Sequence, residues 1–278
     1  MKLHIAAVAS LLALAATAGA VTFDATNTAS DTAGGQRFDQ DVGLDYAKQV
    51  LSDASTFCWN TFNQQSAADR KPVDAVTLVV EDIDGVAFTR DNGIHLSAQY
   101  VGGYSGDVKT EVTGVLYHEV THVWQWDGQG QANGGLIEGI ADFVRLKAGY
   151  APGHWVQPGQ GDRWDQGYDV TARFLDYCDS LMPGFVALLN AKMKDGYSDD
   201  FFAQILGKDV QQCGATTRPS MEADVGNVHL VSAVLIVEEC VALLPTMDSS
   251  VDTPLDRGRR TRRRTASPKS LTWPRLNF

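Results

Sequence analysis

The chain has 278 residues, 44% of them hydrophobic and 21% charged, with a formal net charge of −11. That length buries the core of one large domain or two small ones, and the composition excludes a chain disordered throughout. Eight Lys/Arg and no acids lie between Arg257 and the end, so the remaining body is more acidic than the total; such a body excludes a binder of phosphate backbones, and no nucleic-acid partner is expected.

Residues 1–20 read as a secretory signal peptide: Lys2, an apolar run over residues 5–16, and the small-residue cleavage site Ala18-Gly19-Ala20. The expectation is a secreted, extracellular protein beginning at Val21. No later apolar run reaches membrane-spanning length, so no membrane association is expected after cleavage. Cys58, Cys178, Cys213 and Cys240 allow three full disulfide pairings in an oxidising compartment, and sequence does not choose among them.

Residues 21–40, rich in Thr, Ser, Gly and Asp, read as a flexible N-terminal arm. Apolar residues at helical spacing (Val42, Leu44, Val50, Leu51, Phe57, Phe62) predict a helix over residues 41–63. The β-branched run at residues 75–80 predicts a buried strand. Two more strands are expected at 86–89 and 93–101, around a hairpin at Arg90-Asp91-Asn92-Gly93, where Asn-Gly is the signal. The second of these is expected at the sheet edge, where an extended substrate could pair. Asp107 is placed to cap a helix running to about Trp126. A Gly-rich loop over residues 127–135 leads to a helix over 136–148, ended by Gly149 and Pro152. Further helices are expected at 165–181, 183–194 and 198–206.

The helix that follows Asp107 carries His118-Glu119-Val120-Thr121-His122. Histidines four apart share one helix face, and two imidazoles there can hold one zinc ion. Glu119 is placed to take a proton from a metal-activated water, the arrangement of HExxH peptidases. A zinc peptidase needs a third protein ligand and an open fourth position. Glu138 and Asp142, spaced i, i+4 on the next helix, can both face the metal. Glu138 is assigned to zinc and Asp142 to the free N–H of a zinc-bound histidine, although the spacing also permits Asp142 as the ligand. Tyr150, His154 and Tyr168 are candidate donors to the developing oxyanion. The metzincin continuation fails, because Gln125 and Gly128 stand where it needs Gly and His. Trp124 and Trp126 are read as core residues.

The segments Gly93-Ile94-His95-Leu96-Ser97-Ala98, Val115 through Trp126, Gly134-Gly135-Leu136-Ile137-Glu138-Gly139-Ile140-Ala141-Asp142 and Gly167-Tyr168-Asp169-Val170-Thr171-Ala172-Arg173 resemble the plant basic secretory protein family, whose members also occur in bacteria and fungi. The resemblance spans roughly residues 21–210. It implies a secreted zincin-like metallopeptidase with its site on His118, Glu119, His122 and Glu138, associated in plants with defence. The acidic body departs from the family's basic character. A second departure follows Val210, where the family's short Trp- and Tyr-containing helix gives way to Cys213-Gly214-Ala215-Thr216-Thr217-Arg218.

The resulting expectation is an α/β (α+β) fold with a zincin-like core: a small mixed sheet, an active-site helix and following helices. The peptidase domain is set at residues 41–212, and residues 213–278 are read as an atypical tail, a gene-model artefact or disordered, with a polyanion-binding tail as the alternative. The expected function is Zn2+-dependent hydrolysis of peptide or protein substrates. The alternative is a secreted defence or binding protein on the same fold with little or no catalysis.

Overall fold

A computed structural model describes residues 20–217. The signal-peptide reading of residues 1–19, Cys240 and the basic run after Arg257 lie outside the described residues.

A four-stranded sheet has the order β1 (Thr22–Asn27), β2 (Ala75–Glu81), β4 (Gly93–Ser97), β3 (Ala87–Arg90). β1 and β4 both pair parallel to β2, while β3 runs antiparallel to β4, so the sheet is mixed and the fold α+β. Alternation sends Val76, Leu78 and Val80 of β2 and Ile94 and Leu96 of β4 to one buried face. Thr77, Val79, Glu81 and His95 line the other, partly exposed face.

Three sequence expectations need correction. Residues 21–40 are not a flexible arm: they supply β1 and most of α1 (Ala33–Asp41). Polar side chains hide this element, because β1 is an outer strand held by main-chain pairing to β2 from Thr22↔Ala75 to Asn27↔Val80. The strand expected over residues 93–101 stops at Ser97, whose hydroxyl accepts from Tyr100 N and caps α3 (Ala98–Gly103). That strand is also not the edge: β4 is interior, and β3 is the edge beside it. The hairpin turn lies within Arg90-Asp91-Asn92-Gly93, as the sequence predicts. Asp91 (φ 50°) and Asn92 (φ 64°) supply the two positive-φ positions of a two-residue hairpin, and Gly93 begins β4.

The buried face of the sheet is covered by helices. α2 (Leu44–Thr61) packs on α4 (Val108–Trp124), and α4 also meets β3 and α5 (Gly134–Lys147). α4 is buried on nearly all sides, through Val112, Val115, Leu116, Val120, Val123 and Trp124. Such a helix needs its polar groups satisfied inside the protein. Accordingly Trp124 Nε1 donates to Ser55 Oγ (3.0 Å), and Tyr46 Oη and Thr113 Oγ1 lie 2.9 Å apart. Asp107 caps α4 by accepting from Thr110 N, as its sequence position predicts.

α6 (Tyr168–Leu181) packs along α5 at very close range. Gly139 makes this possible, because a Cβ there would fall inside the van der Waals surface of Thr171. α7 (Phe185–Lys192), α8 (Asp200–Leu206) and α9 (Val210–Thr217) follow. Phe202 of α8 is fully buried against Trp164, Phe174 and Phe185. α9 crosses the expected domain boundary at residue 212, and Cys213 within it is buried, so the folded unit extends beyond that boundary.

A buried ion pair fixes α4 against α5. Arg145 Nη2 lies 3.1 Å from Glu111 Oε1, with the two side chains only 3% and 8% exposed. Tyr100 and Tyr104 donate to the two Glu111 oxygens, and Arg145 Nε donates to Tyr150 O. Arg145→Leu leaves Glu111 charged and buried without its cation. It is expected to lower stability by about 3 kcal/mol or more in denaturant unfolding; a change under about 1 kcal/mol would show the pair to be dispensable.

Candidate metal centre

His118 and His122 stand one turn apart on α4, and Glu138 projects from the first half of α5. Two features bring α5 back beside α4. Gln125 ends α4, and the loop after it turns through positive φ at Gly128, Gln129 and Gly130. Asn133 then caps α5 by accepting from Leu136 N at 2.7 Å.

Three ligand atoms converge. His118 Nε2 lies 3.1 Å from His122 Nε2 and 3.1 Å from Glu138 Oε2, and His122 Nε2 is 3.6 Å from the same carboxylate oxygen. Metal–ligand bonds of about 2.0–2.1 Å at tetrahedral angles separate neighbouring ligand atoms by about 3.3 Å, so the triangle matches one face of such a tetrahedron. The donor set, two imidazole nitrogens and one carboxylate oxygen, also suits zinc. Among the described residues this is the one cluster of three His, Cys, Asp or Glu side chains arranged to hold a metal ion, and it includes no fourth such ligand.

The remaining ring nitrogens are held from behind. Asp142 Oδ1 is 2.7 Å from His118 Nδ1, at 4% side-chain exposure. Asp142 therefore sits on the far side of the ring from the triangle, whereas Glu138 forms one of its corners. Gln125 Nε2 lies 3.0 Å from His122 Nδ1 and donates to Ile137 O at 3.3 Å, while its buried Oε1 has no hydrogen-bond partner among the described residues. The two amide orientations are nearly isosteric. Holding a metal on His122 Nε2 would require Nδ1 to donate, which the flipped amide allows at the cost of the bond to Ile137 O.

Electrostatics follow from this crowding. Burial would lower the His118 pKa, but the Asp142 and then the Glu138 carboxylate outweigh it and push it up to about 10. Burial would raise the Glu138 carboxyl, but hydrogen bonds from His118 and His122 hold it well below the usual carboxylate range. The two shifts express one interaction: beside each other, the imidazole and the carboxylate each favour the charged form.

Glu119 is 2% exposed and anchored to the edge strand: Thr89 Oγ1 lies 2.7 Å from its Oε2 and 3.0 Å from its carbonyl oxygen. Tyr168 lies over the site with its ring nearly parallel to His118, at 6.2 Å between centroids. It follows Gly167 and itself holds φ 47°, a strained value for an aromatic residue. Burial, then the charges of Glu138, Asp142 and Glu119, push its phenol well above the usual value, so it stays an O–H donor. Tyr150 packs on Tyr117 at 5.1 Å, and His154 is exposed on the loop before α6.

Sequence reasoning missed Thr89 and Gln125. Thr89 carries no local signal, because its role comes from β3 running beside α4. Gln125 was legible: it lies three residues after His122, on the same helix face. Trp124, fully buried against Trp59, is a core residue as read from sequence.

A segment of 29 residues is 72% identical to a basic secretory protease of Boswellia serrata, covering 10% of this chain and 45% of that protein. The chain thus spans less than half the length of that curated relative. No solved structure matches the chain significantly. The family described as peptidase of plants and bacteria matches residues 18–215, which take in both helices of the centre and all three of its ligand atoms, and the chain belongs to that family.

Proposed function

We propose that the protein is a secreted zinc-dependent peptidase with His118, His122 and Glu138 as ligands and Glu119 as general base. The observation that carries this reading is the convergence of three ligand atoms, with no fourth His, Cys, Asp or Glu in the cluster among the described residues. Structural zinc sites are usually closed by four protein ligands, whereas catalytic sites keep one position for water or substrate. A buried glutamate next to the first ligand, oriented by Thr89, has no use in a closed structural site.

Zinc, when bound, supplies a Lewis acid that acidifies water to a pKa of about 7 and polarises a carbonyl. Glu119 accepts the water proton as the oxygen attacks the peptide carbonyl and returns it to the departing amine, so no free amide anion forms. Tyr168 donates its O–H to the carbonyl oxygen as negative charge builds there. Asp142 and Gln125 hold the two imidazoles in the tautomer that leaves each Nε2 available. An extended peptide adds to the free edge of β3, which places its backbone beside Thr89 and Glu119. The secretory reading of residues 1–20 and the word "secretory" in the relative's name support an extracellular site of action. No described helix is long and apolar enough to cross a membrane.

Purified protein and its Glu119→Ala and Tyr168→Phe variants, compared for zinc content and cleavage of a mixed peptide library, test the assignment. One zinc is expected in all three, with cleavage lowered at least about 100-fold in Glu119→Ala and mainly in kcat for Tyr168→Phe. Zinc in the parent without cleavage would favour a binding protein on this fold.

Asp142→Asn and Gln125→Leu are expected to weaken zinc binding by about 10–100-fold in competition with a chromophoric chelator. Unchanged affinity in both would remove them from the metal's support.

Zinc affinity is also expected to rise with pH. His118, pushed up to about 10, is protonated at neutral pH in the metal-free site and must release that proton to bind. Each pH unit between about 6 and 8 then raises affinity about tenfold, with one proton released per zinc in calorimetry across buffers of different ionisation enthalpy. A flat profile would mean that His118 is already neutral.

A further inference from the structure

The three cysteines of the described region have different surroundings. Cys58 is fully buried in α2, with Thr121 Oγ1 3.4 Å from its sulfur. Cys178, on the last half of α6, and Cys213, on α9, face each other instead. Both are free thiols buried at 0% and 1% exposure, on two helices that pack against each other, and each thiol is near enough to shift the other's pKa; Cys213 Sγ also lies 4.0 Å from Lys208 O. α9 sits against the elements around Cys178: Gly214 lies under Trp164, whose ring packs on Phe174 of α6 and Phe202 of α8. The two sulfurs are thus brought together by a continuous aromatic core.

We propose that Cys178 and Cys213 form a disulfide that ties α9 to α6, while Cys58 remains a thiol. Formation of the bond in the living cell rests on the secretory reading above, because thiols persist in a reducing cytosol. The reaction is thiol–disulfide exchange with a disulfide such as oxidised glutathione or that of an oxidoreductase. One cysteine thiolate attacks that reagent and releases one thiol; the second cysteine then attacks the mixed disulfide and releases another. Two protein thiols are oxidised to one S–S bond, and one reagent disulfide is reduced to two thiols. Both sulfurs are shielded in the folded state, so exchange takes place while α9 is undocked, and the finished bond resists reductant until α9 is released.

The bond closes a loop containing α7, α8 and α9, which packs against the Trp164 segment. Trp164 O accepts from Thr171 Oγ1, which also accepts from Gly167 N just before Tyr168. The staple therefore stabilises the start of α6 without touching the metal ligands. Removing a loop closure of this length is expected to lower Tm by about 5–10 °C with zinc content unchanged.

The test is made on the full chain with all four cysteines, refolded in a glutathione redox couple and, separately, recovered from a secreting host. Free thiols are alkylated in denaturant, and the digest is mapped without reduction. A linked peptide pair containing Cys178 and Cys213, with Cys58 alkylated, is expected from both sources. Reductant added in mild denaturant should lower the parent's Tm to that of Cys178→Ala/Cys213→Ala and leave this double variant unaffected. Alkylation of both cysteines after glutathione refolding, or linkage of either to Cys58 or Cys240, overturns the proposal. A double variant that loses Tm to the same extent against a fully reduced parent also overturns it, since packing alone would then explain the effect. The bond forming in the glutathione couple but not in the secreting host would overturn the secretory reading and leave the pairing intact.

Discussion

The register between α4 and α5 is the constraint on which the site depends. Glu111 and His118 are seven residues apart on α4; Arg145 and Glu138 are seven apart on α5. Seven residues rise about 10.5 Å on either helix, so one register satisfies both the Glu111–Arg145 pair and the His118–Glu138 contact. The pairs run in opposite sequence order on the two helices, which makes the helices antiparallel, as the intervening turn requires. The apolar contacts between the helices tolerate some sliding; a buried guanidinium and carboxylate do not, because a shift would leave each charge unpaired. The ion pair is thus a structural device with a chemical consequence, the placing of Glu138 against His118 and His122.

Close approach is the second condition. Gly139 lies between the two carboxylates of α5, on the face turned to α6. The residue after the metal-facing glutamate is thus pressed against Thr171, and α6 carries Tyr168 at its first turn. Glycine here costs some helix stability but lets three consecutive helices share one site. The edge strand completes the arrangement from the opposite side: Thr89 connects the sheet to Glu119, so the proposed base is held by an element outside the His118–His122–Glu138 cluster.

What could be read from the sequence follows the range of the interactions involved. The HExxH motif, the Asp107 cap, the i, i+4 carboxylates and the β2 strand are local patterns, and periodicity and spacing expose them. The mixed α+β architecture followed from strands preceding a chiefly helical half. Residues 21–40 were misread because β1 is recognisable by its pairing partner rather than by its side chains. The place of β4 inside the sheet was hidden for the same reason: strand order comes from long-range pairing, and a hairpin looks alike at the edge and in the interior. Thr89 and the Cys178–Cys213 pair were invisible because each joins elements far apart in sequence. The boundary at residue 212 was drawn from a change in composition, yet the buried face of α9 continues past it through Cys213.

The charge of the centre explains why so many polar groups are concentrated in an otherwise apolar helix. Glu119, His118, Asp142 and Glu111 are all nearly buried along α4 and α5, where an unpaired carboxylate is expensive. Glu111 is balanced by Arg145, whereas Glu138 and Asp142 lie against His118, whose pKa they raise. These two balances differ in kind. Arginine keeps its charge at any working pH and can only serve as structure. A histidine proton can leave, and under the proposed function a divalent cation would set one further unit of positive charge against the same carboxylates. The same pair of helices would then carry a permanent counter-ion at one end and an exchangeable one at the other, and it is the exchangeable end that Glu119 and Tyr168 adjoin.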